Sequence, residues 1–175
     1  MPGAPTPIPA RTILRDPVHF LAFGFGSGLA PRAPGTAGTL VGIPLFVGLH
    51  FLGLPAYLAV TVLLFAFGCW VCGESARRLG THDHGGIVFD EIVAFLITML
   101  PTFFLPQPEP LWRWLWLGAG FALFRFFDVL KPWPVNLADR HVHGGFGIML
   151  DDLLAALYAA GALAGLMAAK TFLLT

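Results

Sequence analysis

A chain of 175 residues sets the scale of one domain. Of these residues 57% are hydrophobic and only 11% charged, against about 25% charged in an ordinary soluble chain. So few charges exclude a conventional water-facing surface and point to lipid as the solvent; ten basic and ten acidic residues cancel, so nothing electrostatic draws in a nucleic acid.

Taken in order, the chain begins with Pro2, Pro5, Pro7 and Pro9. A helix is excluded there, and residues 1–16 are predicted to be a disordered tail before a single domain at 17–175. No basic stretch precedes a short apolar run with a cleavage site, so no signal peptide is expected. An apolar segment with His19 follows, and then Gly24 to Thr39, too rich in Gly and Pro for a regular element. This stretch is predicted to be a loop carrying Ser27, Arg32, Thr36 and Thr39. Its glycines can turn backbone N–H groups toward an anion, and Thr36 or Thr39 can cap the next helix. It lacks the Gly-Lys-Ser/Thr ending of a nucleotide-binding P-loop. A plain hairpin entering the membrane is the competing reading.

Apolar segments then run over roughly 37–53, 55–73, 87–105, 111–127 and 150–174. A spanning helix needs about 20 apolar residues, with about 17 as a lower limit. The prediction is an all-α, compact polytopic membrane bundle with four or five membrane-embedded helices. Cys69 and Cys72 form a C-x-x-C on the second segment, with no second pair for zinc and no strand-to-helix turn for redox chemistry; they read as small helix residues. If the segments alternate, Arg11, Arg15, Arg32, Arg77, Arg78, Arg125, Lys131 and Arg140 share one side, which the positive-inside rule makes cytoplasmic. Arg113 and Lys170 fall toward the other side.

Two polar clusters interrupt this apolar pattern. The smaller holds His82, Asp83 and His84 in a Gly-terminated loop, then Asp90 and Glu91 at the start of an apolar helix. The larger runs from Phe124 to Ala156 and packs Asp128, Asp139, Asp151 and Asp152 together with Arg125, Lys131, Arg140, His141 and His143. Asp128 and Lys131 stand i, i+3 near a helix end that Pro132 and Pro134 break. Asp151 and Asp152 are expected to open the last helix after a Gly-Gly-Phe-Gly turn. Three segments thus deliver Asp90, Glu91, Asp128, Asp151 and Asp152 to helix ends on one side. Acids at a membrane edge point to function, and five close carboxylates need positive charge among them. Hard oxygen ligands suit Mg²⁺, which pairs with substrate phosphate. Arg32, Arg125, Lys131 and Arg140 supply charge suited to phosphate oxygens. His141 and His143 serve either as acid–base groups or as caps of the Gly turn. A buried ion-pair network is the structural alternative, although such pairs are weak sources of stability.

These residues fall in blocks that resemble the phosphatidylglycerophosphatase A family. The blocks are Gly24-Phe-Gly-Ser-Gly-Leu-Ala-Pro with Pro34-Gly-Thr-Ala-Gly-Thr, Asp83 followed by Ile87-Val-Phe-Asp-Glu, Phe127-Asp-Val-Leu-Lys-Pro-Trp-Pro, and His143-Gly-Gly-Phe-Gly-Ile-Met-Leu-Asp-Asp. They occur in the family's order. Small departures are Ala94 and Ala156 where Gly is expected and His84 where Pro is common. The resemblance implies an all-helical enzyme of the bacterial inner membrane, its site facing the cytoplasm, that uses Mg²⁺ to hydrolyse phosphatidylglycerophosphate to phosphatidylglycerol and phosphate. On that reading Asp90, Glu91, Asp128, Asp151 and Asp152 hold metal, and Asp90, Asp128, Asp151 and Asp152 also carry the catalysis. Arg32, Thr36, Lys131, Arg140 and His143 bind the phosphate. A metal-activated water and an aspartate nucleophile both stay open. The Asp-x-Asp and Cys-x₅-Arg signatures of two other phosphatase classes are missing. A CDP-alcohol phosphotransferase and a cation-coupled transporter are the alternatives. The first lacks its long aspartate signature, and the second should place its acids in mid-span. The partners expected are the phospholipid substrate and the bilayer, with an oligomer left open.

Overall fold

The computed structural model describes residues 9–81, 84–105 and 110–173, and every regular element among them is helical. The helices are α1 (Ala10–Arg15), α2 (Pro17–Ala22), α3 (Pro34–His50), α4 (Leu54–Leu79), α5 (Phe89–Thr98), α6 (Pro101–Phe104), α7 (Pro110–Leu130), α8 (Val135–His141) and α9 (Gly144–Leu173), with a 3₁₀ segment at Gly24–Leu29.

The bundle is built around α5. A helix that is apolar all round belongs in a core, and every residue of α5 except Glu91 is buried. It packs against α3, α4, α7 and α9. Tyr57 of α4, fully buried, donates its hydroxyl to the Leu96 carbonyl at 2.6 Å and ties the two helices together. The helix stops at Met99 because the chain turns there into Pro101. The apolar run expected over 87–105 is therefore a ten-residue helix followed by a single turn, too short to cross a bilayer.

Helices α4 and α9 are long and apolar enough to cross a membrane. Only 22% and 33% of their most apolar windows are buried within the protein, whereas the core helix of a soluble domain would be mostly covered. Val62, Leu63 and Trp70 on α4 and Leu157 and Leu166 on α9 are among the outward-facing apolar side chains. The two helices cross at small residues. A Cβ on Gly145 would collide with the Cys69 carbonyl, and Gly73 lies against the Gly145 backbone. Such small contacts are the common currency of helix packing in lipid. Cys69 and Cys72 are free and belong to this packing.

Three boundaries differ from those read in the sequence. Residues 10–15, assigned to the tail, form α1, with Ile13 fully buried in the core; the prolines that forbid a helix end at Pro9. Pro2, Pro5 and Pro7 lie outside the described residues. The Gly-rich stretch, expected to be a loop, forms the 3₁₀ segment at Gly24–Leu29, and α3 starts at Pro34, a residue well suited to a first helical position. The last helix begins at Gly144, so Asp151 and Asp152 sit two turns inside α9 and do not open it.

Candidate active site

The acids gather at one end of the bundle. Asp90 and Glu91 enter from the first turn of α5, which is held by the Val88 N–H donating to the Ala22 carbonyl at 2.9 Å. Asp90 Oδ1 accepts from the Glu91 N–H at 2.9 Å. Glu91 lies against α3 where Gly35 and Gly38 leave room for it. A Cβ at Gly35 would occupy the position of the Glu91 carboxylate, and one at Gly38 would strike Val88 and crowd Glu91. The glycines expected to cradle an anion with their backbone thus make room for an acid from another helix.

From α7, Arg125 reaches across to this acid. Its Nη1 is 3.0 Å from Glu91 Oε1 and 2.7 Å from Asp128 Oδ2. The guanidinium therefore stands between two carboxylates that would otherwise repel. Burial pushes the Glu91 carboxyl up to about 7; Arg125 pulls it down and Asp128 pushes it further up.

Lys131 closes the other flank. It follows α7 with φ +43, a left-handed conformation that a residue with a Cβ adopts only under constraint from its surroundings. Its Nζ is 2.6 Å from Asp139 Oδ1 and 2.7 Å from Asp151 Oδ2, which joins α8 and α9 to the end of α7. Burial pulls the ammonium pKa down, but Asp139 and Asp151 outweigh it and hold it above the usual lysine range.

Asp152 lies deepest, 5% exposed, with Asp90, Asp128, Asp151 and Glu91 all acting on it electrostatically. Among the described residues, Asp152 Oδ2 and Glu91 Oε2 are buried without a hydrogen-bond partner. A buried carboxylate oxygen left unpaired is costly. No three acidic, His or Cys groups among the described residues are drawn tightly enough to enclose a cation. The donor set is nonetheless one of hard oxygens with two orphaned atoms, and that chemistry fits Mg²⁺ over a thiophilic metal.

The four sequence blocks that resembled one family therefore meet in a single acid cluster. The profile of phosphatidylglycerophosphatase A matches residues 20–167 and so contains the cluster whole. The chain belongs to the phosphatidylglycerophosphatase A family. It is 44% identical over 154 residues to the phosphatidylglycerophosphatase A of Escherichia coli K12, covering 88% of this chain and 86% of that one. The Haemophilus influenzae Rd protein of the same name is 47% identical over 147 residues, covering 83% and 86%. A Bacteroides thetaiotaomicron protein, named provisionally as a phosphatidylinositol-3-phosphatase, is 39% identical over 142 residues, covering 78% and 84%. No solved structure matches.

The expected site residues divide into two groups. Asp90, Glu91, Asp128, Lys131, Asp151 and Asp152 come together as described. Thr36 stands half-buried in the first turn of α3, beside the Gly35 that abuts Glu91. Arg32, Arg140 and His143 are exposed, before α3, on α8 and before α9. His143 Nδ1 is 3.0 Å from the His141 carbonyl, and His141 Nδ1 is 2.9 Å from the Leu137 carbonyl, so both rings engage the local turn. His82 and Asp83 lie outside the described residues. Two members of the cluster have roles that the sequence shows less directly. Arg125, expected to supply charge for phosphate oxygens, bridges Glu91 and Asp128, and its i, i+3 spacing from Asp128 is the signal for that pair. Asp139 was given no role, and its pairing with Lys131 depends on how α8 folds back.

Proposed function

We propose that the protein hydrolyses phosphatidylglycerophosphate to phosphatidylglycerol and inorganic phosphate at the cytoplasmic face of a bacterial inner membrane. The observation that carries this reading is the convergence of the family's separate blocks on one buried cluster, with five carboxylates against Lys131 and Arg125. Soluble-core packing does not call for so many acids at one end of an apolar bundle. Phosphomonoester hydrolysis does: water oxygen bonds to phosphorus, the P–O bond to the glycerol carbon chain breaks, and the leaving oxygen takes a proton.

The residues divide that work. Asp90, Glu91, Asp128, Asp151 and Asp152 would hold Mg²⁺, with the orphaned oxygens of Glu91 and Asp152 as its natural partners. Bound there, the ion offsets phosphate charge and makes water a better nucleophile. Lys131 presents its ammonium to the phosphate oxygens, with Arg32, Thr36, Arg140 and His143 at the approach. Arg125 keeps Glu91 and Asp128 in place. Around the cluster, α3, α4, α7 and α9 are embedded in the bilayer, with the short α5 enclosed among them. The N-termini of α3, α5 and α9 and the C-termini of α4 and α7 then share the cytoplasmic side with Arg77, Arg78, Arg125 and Lys131.

Purified protein in detergent, given phosphatidylglycerophosphate with Mg²⁺, releases phosphate; chelation stops the release and added Mg²⁺ restores it. Phosphatidylinositol 3-phosphate in parallel reads the headgroup preference. No phosphate from phosphatidylglycerophosphate with any divalent cation sinks the proposal.

A further inference from the structure

The end of the bundle opposite the acids holds a cavity of about 410 Å³, within the range of about 300–1,000 Å³ usual for small-molecule sites. It is a separate place. On α7, Arg113 at the cavity and Arg125 at the acids are twelve residues apart, about 18 Å along the axis. Helices α3, α5 and α9 likewise contribute their acid-side residues at one end and Phe46, Met99 and Met167 at the other.

The walls are apolar, and the polar groups on them are few and specific. Trp116 is 7% exposed, and its Nε1–H has no hydrogen-bond partner among the described residues. A buried donor without an acceptor is a standing deficit that a ligand oxygen would remove. Arg113 and His50 line the same cavity. Arg113 is the permanent cation of the pair, since a guanidinium stays protonated at any ordinary pH. One turn before Trp116, the Trp112 ring carries the Lys170 ammonium 4.6 Å from its centroid. Trp112, Trp114 and Trp116 cluster as aromatic residues do where a bilayer meets water. Arg113 and Lys170 are also the two basic residues that stand against the charge bias of the chain, and the proposed phosphatase chemistry uses neither.

We propose that this cavity is a second lipid site, occupied by one anionic phospholipid. An acyl chain fills the space between Phe46, Met99, Leu117 and Met167. Ester or phosphate oxygens accept from the Trp116 N–H, and the headgroup charge faces Arg113. Such a lipid would be held in the leaflet opposite the substrate and would not be turned over.

The test is native mass spectrometry of the full chain, released from detergent micelles doped equally with phosphatidylserine and phosphatidylcholine, neither of which is substrate or product. Wild type is expected to retain phosphatidylserine in preference to phosphatidylcholine. Trp116→Phe keeps the ring and removes the donor; Arg113→Gln removes the charge. Each is expected to lower phosphatidylserine retention about tenfold, the scale of one charge-assisted hydrogen bond. Lys131→Gln, at the acid end, is expected to leave retention unchanged. Equal retention of the two lipids by wild type overturns the proposal. So does undiminished retention in Arg113→Gln, at an exposed position. Loss of retention in Lys131→Gln overturns it too, by placing the lipid at the catalytic end.

Discussion

At the acid end of the bundle, Arg125 and Lys131 each stand between two carboxylates, and two further carboxylate oxygens have nothing to pair with among the described residues. At the opposite end the contacts are rings: His50 on Phe103 at 4.4 Å, Tyr57 on Phe103 at 4.7 Å, Trp112 stacked on Trp116 at 5.7 Å. Helices α3, α7 and α9 contribute to both ends. One end is built from ring contacts around an apolar cavity, and the other accumulates like charge in a low-dielectric setting, where removing a carboxylate should relieve strain. The difference separates residues that hold the fold from residues that the fold holds.

The sharpest way to break this comparison is Asp152→Asn. It should lower phosphate release by about 100-fold or more, the scale for losing a metal ligand's support or a transition-state contact. Its thermal unfolding midpoint should not fall, because Asp152 Oδ2 makes no hydrogen bond among the described residues and an amide ends the crowding of acids there. An active variant with a lowered midpoint would make the acid cluster a structural network instead. Next in size is Gly35→Ala, whose new methyl meets the Glu91 carboxylate; a cost of about 1–3 kcal/mol is expected in denaturant unfolding. Gly48→Ala, on the same helix with nothing near its Cβ position, should be neutral or stabilise by about 0.5–1 kcal/mol. At the ring-packed side, Tyr57→Phe should cost about 1 kcal/mol through the lost bond to Leu96 while hydrolysis is unchanged.

A further test concerns a residue belonging to neither end. Asp16 caps α2 by accepting from the Val18 and His19 N–H groups at 2.8 and 3.4 Å, and it pairs with Arg78 at 2.7 Å. Burial pushes its carboxyl up, but the Val18, Arg78 and His19 hydrogen bonds outweigh this and hold its pKa below the ordinary value. A depressed folded pKa means the carboxylate stabilises the fold above the unfolded pKa and loses that contribution as pH falls through the folded one. Asp16→Ala should therefore cost about 1 kcal/mol at neutral pH. The gap from wild type in paired unfolding curves should shrink as the medium is acidified below the aspartate range. A gap independent of pH would remove the carboxylate from the account.

Much of this architecture was legible because lipid-scale helices leave long apolar runs, and α4 and α9 carry them. The five carboxylates stood out for the converse reason: acids are conspicuous against so apolar a background. What escaped reading was geometry that composition disguises. Gly35 and Gly38 look like loop residues, yet on α3 they form one face with Gly42, and their small size serves the approach of α5. Gly145 and Gly147 misled in the same way and hid the first two turns of α9. The span 87–105 read as one element because apolar content continues across Met99 and Leu100, where the helix stops. The Lys131–Asp139 contact was not readable at all, since it depends on the turn through Pro132 to Pro134.

The burial of α5 has a mechanical consequence. Its ten residues from Phe89 to Thr98 make a rod about 15 Å long that is enclosed by protein along most of its surface. In the bilayer arrangement proposed above, stretching or thinning of the membrane would act on the outward faces of α4 and α9, which would tilt to follow it. The rod would be insulated from that load, so the depth of the acids below the bundle's end would be set by protein contacts whatever the membrane thickness.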